Sequence, residues 1–251
     1  MNSSIGKYMP ALTLALLLPF WELICFVASI PVYIFPAPSD IYEALIGVEL
    51  SRWLGHLWAT LHIAIAGFII AIVVSIPIAI AMVRSDYLKR TIYPLLVIIQ
   101  STPVVAIAPL LIVILGTGDA PRLAITFLIT FFPLVVAATT GMEATPKELI
   151  ELSKSLRAKP SREIWQIRLP YAIPYIFSGL KVAITLAIIG AVIAEFVAAE
   201  KGLGYFIQFS TSYFKIPQAF ASLFLLSIIS LLLFQSIKVV QKLFFSWSIG
   251  K

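Results

Sequence analysis

The sequence predicts an all-α membrane protein: one domain over residues 1–251 that crosses the bilayer with six helices. Three observations carry that prediction. The first is composition. The chain is 61% hydrophobic and 12% charged, with a mean hydropathy of +1.02. No water-soluble domain tolerates that balance, so the bilayer is the solvent. The second is segmentation. A spanning helix needs about 20 mostly apolar residues, and six stretches qualify: roughly 10–34, 57–83, 91–115, 123–141, 171–199 and 216–237. A β-barrel would instead alternate over strands of about 10 residues. The third is charge placement. With both termini cytoplasmic, 14 of the 18 Lys and Arg residues fall inside, leaving Arg52, Arg122, Lys201 and Lys215 outside. That asymmetry follows the positive-inside rule. It also accounts for the net charge of +6 without a nucleic-acid partner.

The elements follow in order. The run 10–34 contains the single cysteine, Cys25, which excludes a disulfide within the chain and a cysteine metal cluster. Lys7 precedes it and no A-x-A site follows, so it reads as an uncleaved first span. Phe35–His56 is a long external segment. Pro36-Ala37-Pro38-Ser39-Asp40 predicts a turn with Ser39 as N-cap, and Ile41, Leu45, Val48 and Trp53 then form one apolar stripe. That pattern suits a helix lying on the outer membrane face, with a plain connection as the alternative. Prolines recur inside the spans at Pro77, Pro103, Pro109, Pro133 and Pro174. Each removes a helical hydrogen bond that lipid cannot replace, so these helices are expected to be bent and packed together. Gln100, Ser101 and Thr102 precede Pro103 and allow two readings. They line a polar path, or Ser101 and Thr102 cap carbonyls near the proline.

The loop 142–169 interrupts the apolar phase with charge, on the cytoplasmic side by the positive-inside count. Thr145-Pro146-Lys147-Glu148 predicts a capping box with proline at the first helical position. Leu149, Leu152 and Leu156 fall at i, i+3 and i+7 on one face, while Glu148, Glu151, Lys154 and Arg157 occupy others. A short helix with an apolar ridge suits a groove on a soluble partner. The alternative is an amphipathic helix resting on the membrane surface. Lys159-Pro160 ends it, and Ser161–Ile167 starts a second helical piece leading to Pro170.

This loop resembles the cytoplasmic loop of bacterial ATP-binding-cassette importer permeases, whose signature is E-A-A, three residues, Gly, nine residues, I-x-L-P. Glu151 holds the acidic position, Leu152 and Ser153 stand for the alanines, and Ile167, Leu169 and Pro170 match the end. Arg157 occupies the glycine position. If that site requires a left-handed residue, Arg costs about 1 kcal/mol more than Gly. The helix is therefore expected to run one residue further and turn at Lys159-Pro160. Elsewhere, Trp21-Glu22-Leu23, Gln100-Ser101-Thr102-Pro103, Phe131-Phe132-Pro133, Ser178-Gly179-Leu180-Lys181, Ala194-Glu195-Phe196 and Gly202-Leu203-Gly204-Tyr205 resemble the nitrate/sulfonate/taurine branch of these permeases.

The resemblance implies the type I importer (MetI-like) fold in a bacterial inner membrane. It implies a second permease, expected to be a copy of this chain, two ATPase subunits inside and a substrate-binding protein outside. ATP and Mg²⁺ then belong to the ATPases, and the chain itself binds no cofactor. The ATPase-coupling residues would be Glu148, Leu149, Glu151, Leu152, Ser153, Leu156, Arg157, Ile167, Leu169 and Pro170. The solute would be a small organic anion, such as a sulfonate, taurine or nitrate-like species, or a vitamin precursor.

Gln100, Ser101, Thr102, Glu195, Gly202 and Gly204 are the candidates for the path or its outer gate. A carboxylate at the depth of Glu195 needs a partner or a wet cavity, so it either serves the gate or completes a structural pair. Glu22 pairs across helices or reaches the outer interface, and Lys181 reads as an inner-end anchor. Gly202 and Gly204 flank an expected turn. No G-x-x-x-x-G-K-[ST] occurs, so ATP has no phosphate loop here. His56 and His62 lack metal-ligand spacing, and no nucleophile constellation stands out. An ion-gradient-driven transporter is the alternative function. It would call for an inverted repeat and paired intramembrane acids, neither of which the sequence displays. A membrane enzyme would need a catalytic cluster that is likewise missing. Co-purification of an ATPase separates these readings.

Overall fold

The computed structural model describes residues 3–249 and is helical throughout. Lys251 lies outside the described residues, as does the side chain of Lys7. The helices are α1 (Ser3–Val27), α2 (Pro38–Gly47), α3 (Leu50–Arg84), α4 (Asp86–Ser101), α5 (Val104–Leu115) and α6 (Asp119–Glu143). They continue as α7 (Lys147–Ser155), α8 (Pro160–Glu163), α9 (Leu169–Ala198), α10 (Leu203–Ser212) and α11 (Ile216–Phe244). A π turn at Ile164–Arg168 joins α8 to α9 in one continuous rod of 39 residues.

By length and hydropathy, four helices can each cross a membrane: α3, the α8–α9 rod, α6 and α11. The pair α4–α5 is apolar enough for a fifth but bends by 97° at its break, and α1 contributes a shorter apolar stretch, Leu16–Val27. This pattern is compatible with six spans. The ends differ from the apolar runs. The first helix stops at Val27 rather than near residue 34, and the second span starts at Leu50, seven residues earlier than its apolar run. Pro103 alone among the five prolines breaks its helix; Pro77, Pro109, Pro133 and Pro174 remain inside continuous ones.

Three helix ends share one device. Ser29, Arg157 and Phe214 are the described non-glycine residues with positive φ, at 48°, 51° and 56°. At each, the residue's own amide and the next one close a Schellman pair. Ile30 N–H reaches Cys25 O at 3.1 Å, Ala158 N–H reaches Ser153 O at 3.0 Å, and Lys215 N–H reaches Ser210 O at 2.8 Å. Pro31, Pro160 and Pro217 follow within three residues and prevent the helix from resuming.

The core sits where α6 packs between α3 and α9. Small residues bring the backbones together, as expected when lipid supplies no hydrophobic drive between helices. A Cβ on Gly190 would lie 2.9 Å from Thr126 Cα, and one on Gly179 would lie 2.5 Å from Ala137 Cβ. Ala187, Ala191 and Ala194 on α9 are fully buried. Ser75 of α3 donates to the Phe131 carbonyl of α6 at 3.1 Å, a buried cross-helix bond.

Helix α2 lies beside α11, and Trp53 Nε1 of α3 donates to Leu45 O of α2 at 3.0 Å. Its N-cap is Ala37, not Ser39. The Ala37 amide donates to Asp40 at 2.9 Å, and Pro38 takes the first helical position. Ser39 is instead the donor to Glu22, through its amide at 3.1 Å and its hydroxyl at 2.7 Å. Glu22 thus places a carboxylate at the positive end of α2.

Candidate functional site

At its C-terminal end α6 closes near Met142 and the chain turns into α7. Thr145 does not form the expected capping box. Its hydroxyl donates back to Met142 O at 2.9 Å, Pro146 is the N-cap, and no side chain caps α7. Thr145 is buried in this contact, so it secures the loop base to α6 rather than starting the next helix. On α7, Leu149, Leu152 and Leu156 are 41%, 56% and 73% exposed. Glu148, Glu151 and Lys154 are exposed beside them, and Ser153 turns inward. The ridge therefore faces away from its own chain.

Arg157 takes the left-handed position itself. Its amide reaches Lys154 O at 2.9 Å, and the Ala158 amide reaches Ser153 O. The helix does not run past Arg157, contrary to the expectation from the missing glycine. The turn gains two hydrogen bonds to carbonyls that would otherwise be orphaned, which offset the left-handed strain. Ile167 lies in the π turn, and Leu169 and Pro170 begin α9. Pro170 lacks an amide hydrogen and crowds the carbonyl four residues back, and a widened turn relieves both problems. Leu169 N–H accordingly bonds Ile164 O, five residues back. Arg168 braces this segment, with Nε 2.7 Å from Glu163 and Nη1 3.5 Å from Met142 O. Nearby, Lys89 Nζ contacts both Glu143 oxygens at 2.6 and 2.8 Å, joining the start of α4 to the end of α6.

Ser101 and Thr102 fit the capping account. Ser101 Oγ donates to Val97 O at 2.8 Å and Thr102 Oγ1 to Ile98 O at 3.0 Å. The Thr102 amide has moved to Ile99 O, the carbonyl that Pro103 cannot serve, so its hydroxyl satisfies the Ile98 oxygen left behind. Gln100 separates from them and lines a cleft of about 410 Å³ with Thr140, Tyr175 and Ser178, between α6 and α9.

At the opposite end of the bundle the structure unites Glu195, Gly202 and Gly204 with His56, weighed above only as a metal ligand, and Thr60, which no sequence motif marks. Three successive amides opening α10 are each received by a different side chain. Gly202 N–H donates to His56 Nδ1 at 3.1 Å, Leu203 N–H to Thr60 Oγ1 at 2.8 Å, and Gly204 N–H to Glu195 Oε2 at 2.7 Å. His56 and Thr60 lie on α3 and Glu195 on α9, so α10 is fastened at its positive end to both. Because Nδ1 accepts, the His56 ring carries its proton on Nε2.

Glu195 is fully buried, and its other oxygen, Oε1, has no hydrogen-bond partner among the described residues. Gly202 has φ of +131°, and a Cβ there would overlap the Glu195 carboxyl. Gly204 belongs to the first turn of α10 rather than to a preceding turn, with its absent Cβ 2.8 Å from Glu195 Oε2. Arg52 stacks its guanidinium on Phe206 of α10 at 4.9 Å. The i, i+4 spacing of His56 and Thr60 on one face of α3 was the available signal. Their partners lie more than 140 residues away, and no local pattern reports that.

Residues 71–247 match the family described as binding-protein-dependent transport system inner membrane component. The formylaminopyrimidine transport permease protein ThiX of Halalkalibacterium halodurans is 32% identical over 247 residues, covering 98% of each chain. The taurine transport system permease protein TauC of Escherichia coli is 26% identical over 242 residues, covering 94% of this chain and 88% of that protein. Among solved structures, the inward-facing MetNI methionine ABC transporter superposes with a TM-score of 0.66 at 21% identity, covering 77% of this chain and 97% of its counterpart. The last likeness is one of fold.

Proposed function

The chain belongs to the binding-protein-dependent transport system inner membrane component family and is a permease of an ATP-driven importer; from that premise we propose how it is assembled and coupled. Two copies pair and enclose the translocation path between them. Each copy offers α7 to one ATPase subunit, which binds ATP and Mg²⁺, and an external binding protein delivers the solute to the outer face. Both termini then lie in the cytoplasm.

The observation that supports this reading is the leucine ridge of α7. Leu149, Leu152 and Leu156 project from a short, firmly ended helix with no cover from their own chain. A ridge of that kind fills a groove on a soluble partner, and a two-fold pair lets the same surface serve both ATPases. Glu151 flanks the ridge and sets which groove it fits. For the solute, the 32% identity to a formylaminopyrimidine permease favours a vitamin precursor of nitrogen-heterocycle type over the sulfonates and taurine.

The test is Glu151→Lys, with the permease co-expressed with its ATPase. Retention of the ATPase on the purified permease should fall, or hydrolysis should proceed without transport, while membrane insertion stays intact. Normal assembly and transport by this variant would refute the assignment of α7. Intact-complex mass spectrometry addresses the pairing: a second, different permease in the complex rules out the homodimer.

A further inference from the structure

The cations left on the outer side are gathered rather than spread. Arg52, Arg122 and Lys201 all line one outer cavity of about 540 Å³, together with Trp58, His62 and Asp119. The cavity's carboxylate is already committed. Asp119 lies 2.6 Å from Arg122 and 3.1 Å from His62. Arg52 and Lys201 have no carboxylate partner among the described residues. An adjoining cavity of about 560 Å³ shares Arg122 and Lys201 and adds the acidic Glu200, so the excess of positive charge belongs to the first cavity.

Helix lengths place this cavity in depth. His62 precedes the inner end of α3 at Arg84 by 22 residues, and Asp119 precedes the inner end of α6 at Glu143 by 24. At 1.5 Å per residue these are roughly 33 and 36 Å, against a hydrocarbon layer of about 30 Å. The contact between His62 and Asp119 therefore marks the outer edge of the hydrocarbon, and the cavity above it opens among the lipid headgroups.

Its wall continues into an apolar track. Leu54, Trp58, Ile65, Ile69 and Val73 are 53%, 72%, 38%, 51% and 65% exposed, and with His62 they form one stripe down α3. Trp58 stands where indole rings settle at a membrane interface.

We propose that this cavity binds the phosphate headgroup of an anionic phospholipid of the outer leaflet, with an acyl chain lying along the α3 stripe. Arg52, whose guanidinium also lies over Phe206, and Lys201 supply charge that no carboxylate neutralises, Trp58 holds the glycerol level, and Ile65, Ile69 and Val73 receive the chain. An acidic soluble partner would use the cations but not the stripe beneath them, and a free phosphate would use neither Trp58 nor the stripe. The assignment is independent of which ATPase or solute the permease serves.

Native mass spectrometry of the full-length protein, with phosphatidylglycerol or phosphatidylcholine added, tests it. The unaltered chain should retain phosphatidylglycerol in clear preference. Arg52→Gln with Lys201→Gln should lower that retention about tenfold. Arg52→Lys with Lys201→Arg should preserve it, which separates charge from folding. Lys215→Gln, removing the outer cation that lies outside the cavity, should leave it unchanged. Trp58→Ala should weaken retention of both lipids. Undiminished phosphatidylglycerol in the double Gln variant overturns the proposal. So does displacement of the lipid by millimolar inorganic phosphate, which would indicate a free-anion site. If the double Gln variant keeps the lipid but loses the external binding protein, the cavity is a protein-docking surface and the lipid assignment falls.

Discussion

Gly202→Ala probes the fastening of α10 most directly, because two separate costs converge on one methyl group. The first is the backbone. At φ +131° and ψ 161°, Gly202 occupies a region essentially closed to residues with a Cβ, worth about 1–3 kcal/mol. The second is the carboxyl. The new Cβ would overlap Glu195, which must move, and moving it breaks the 2.7 Å bond from Gly204 N–H. A buried amide and a buried carboxyl would both lose that partner, at about 1–3 kcal/mol. Together the loss is roughly 2–6 kcal/mol, which for a chain of this size lowers Tm on the order of 10 °C. Thermal unfolding of the detergent-purified protein measures it. Gly55→Ala is the reference, since a Cβ there meets nothing within 4 Å. The double variant Gly202→Ala/Glu195→Ala separates the two costs. Removing the carboxyl removes the overlap, so the double variant should lose less than the two single variants added together. If Gly202→Ala melts like Gly55→Ala, or if the losses simply add, the fastening does not work as described.

Glu195→Gln keeps an oxygen able to accept from Gly204, so assembly and basal ATP hydrolysis should persist while stimulation of hydrolysis by the loaded binding protein changes; an unchanged stimulation ratio reduces Glu195 to a helix cap. Arg157→Gly relieves the left-handed strain and should stabilise the end of α7 by roughly 0.5–1 kcal/mol, read as slower exchange of the Ala158 amide. Faster exchange would contradict the Schellman geometry at that turn.

The existence of the spanning segments was legible because an apolar run reports which residues meet hydrocarbon. Their lengths were not, because a helix continues where the hydrocarbon ends. Helix α3 begins at Leu50, and its first three turns carry Arg52, His56 and Thr60, which no hydropathy window favours. These polar turns hold α10. The break at Pro103 was legible as a proline, but a proline alone does not distinguish a bend from a 97° corner. Pro133 and Pro174 sit in unbroken helices, packed against neighbours on both sides of the α6–α9 contact. Pro103 follows residues on α4 that are mostly exposed, so little packing opposes the corner.

The loop carries the same lesson at the level of a single residue. Spacing located α7 and its leucine ridge, since both depend on the helical period. Spacing also made Thr145 a cap, but its hydroxyl found Met142 O, one helix earlier, and that competition between acceptors is invisible to a pattern four residues long. Arg157 is the sharper instance. Glycine at that position advertises a left-handed turn, and its absence suggested that the turn had moved. Yet the turn stays, made by the amides of Arg157 and Ala158 and enforced by Pro160. Ser29 and Phe214 end their helices in the same way, each followed by a proline. In this chain the residue that adopts positive φ is not the one that dictates it. The neighbouring carbonyls and the proline beyond supply the reason, and glycine would only make the same turn less strained.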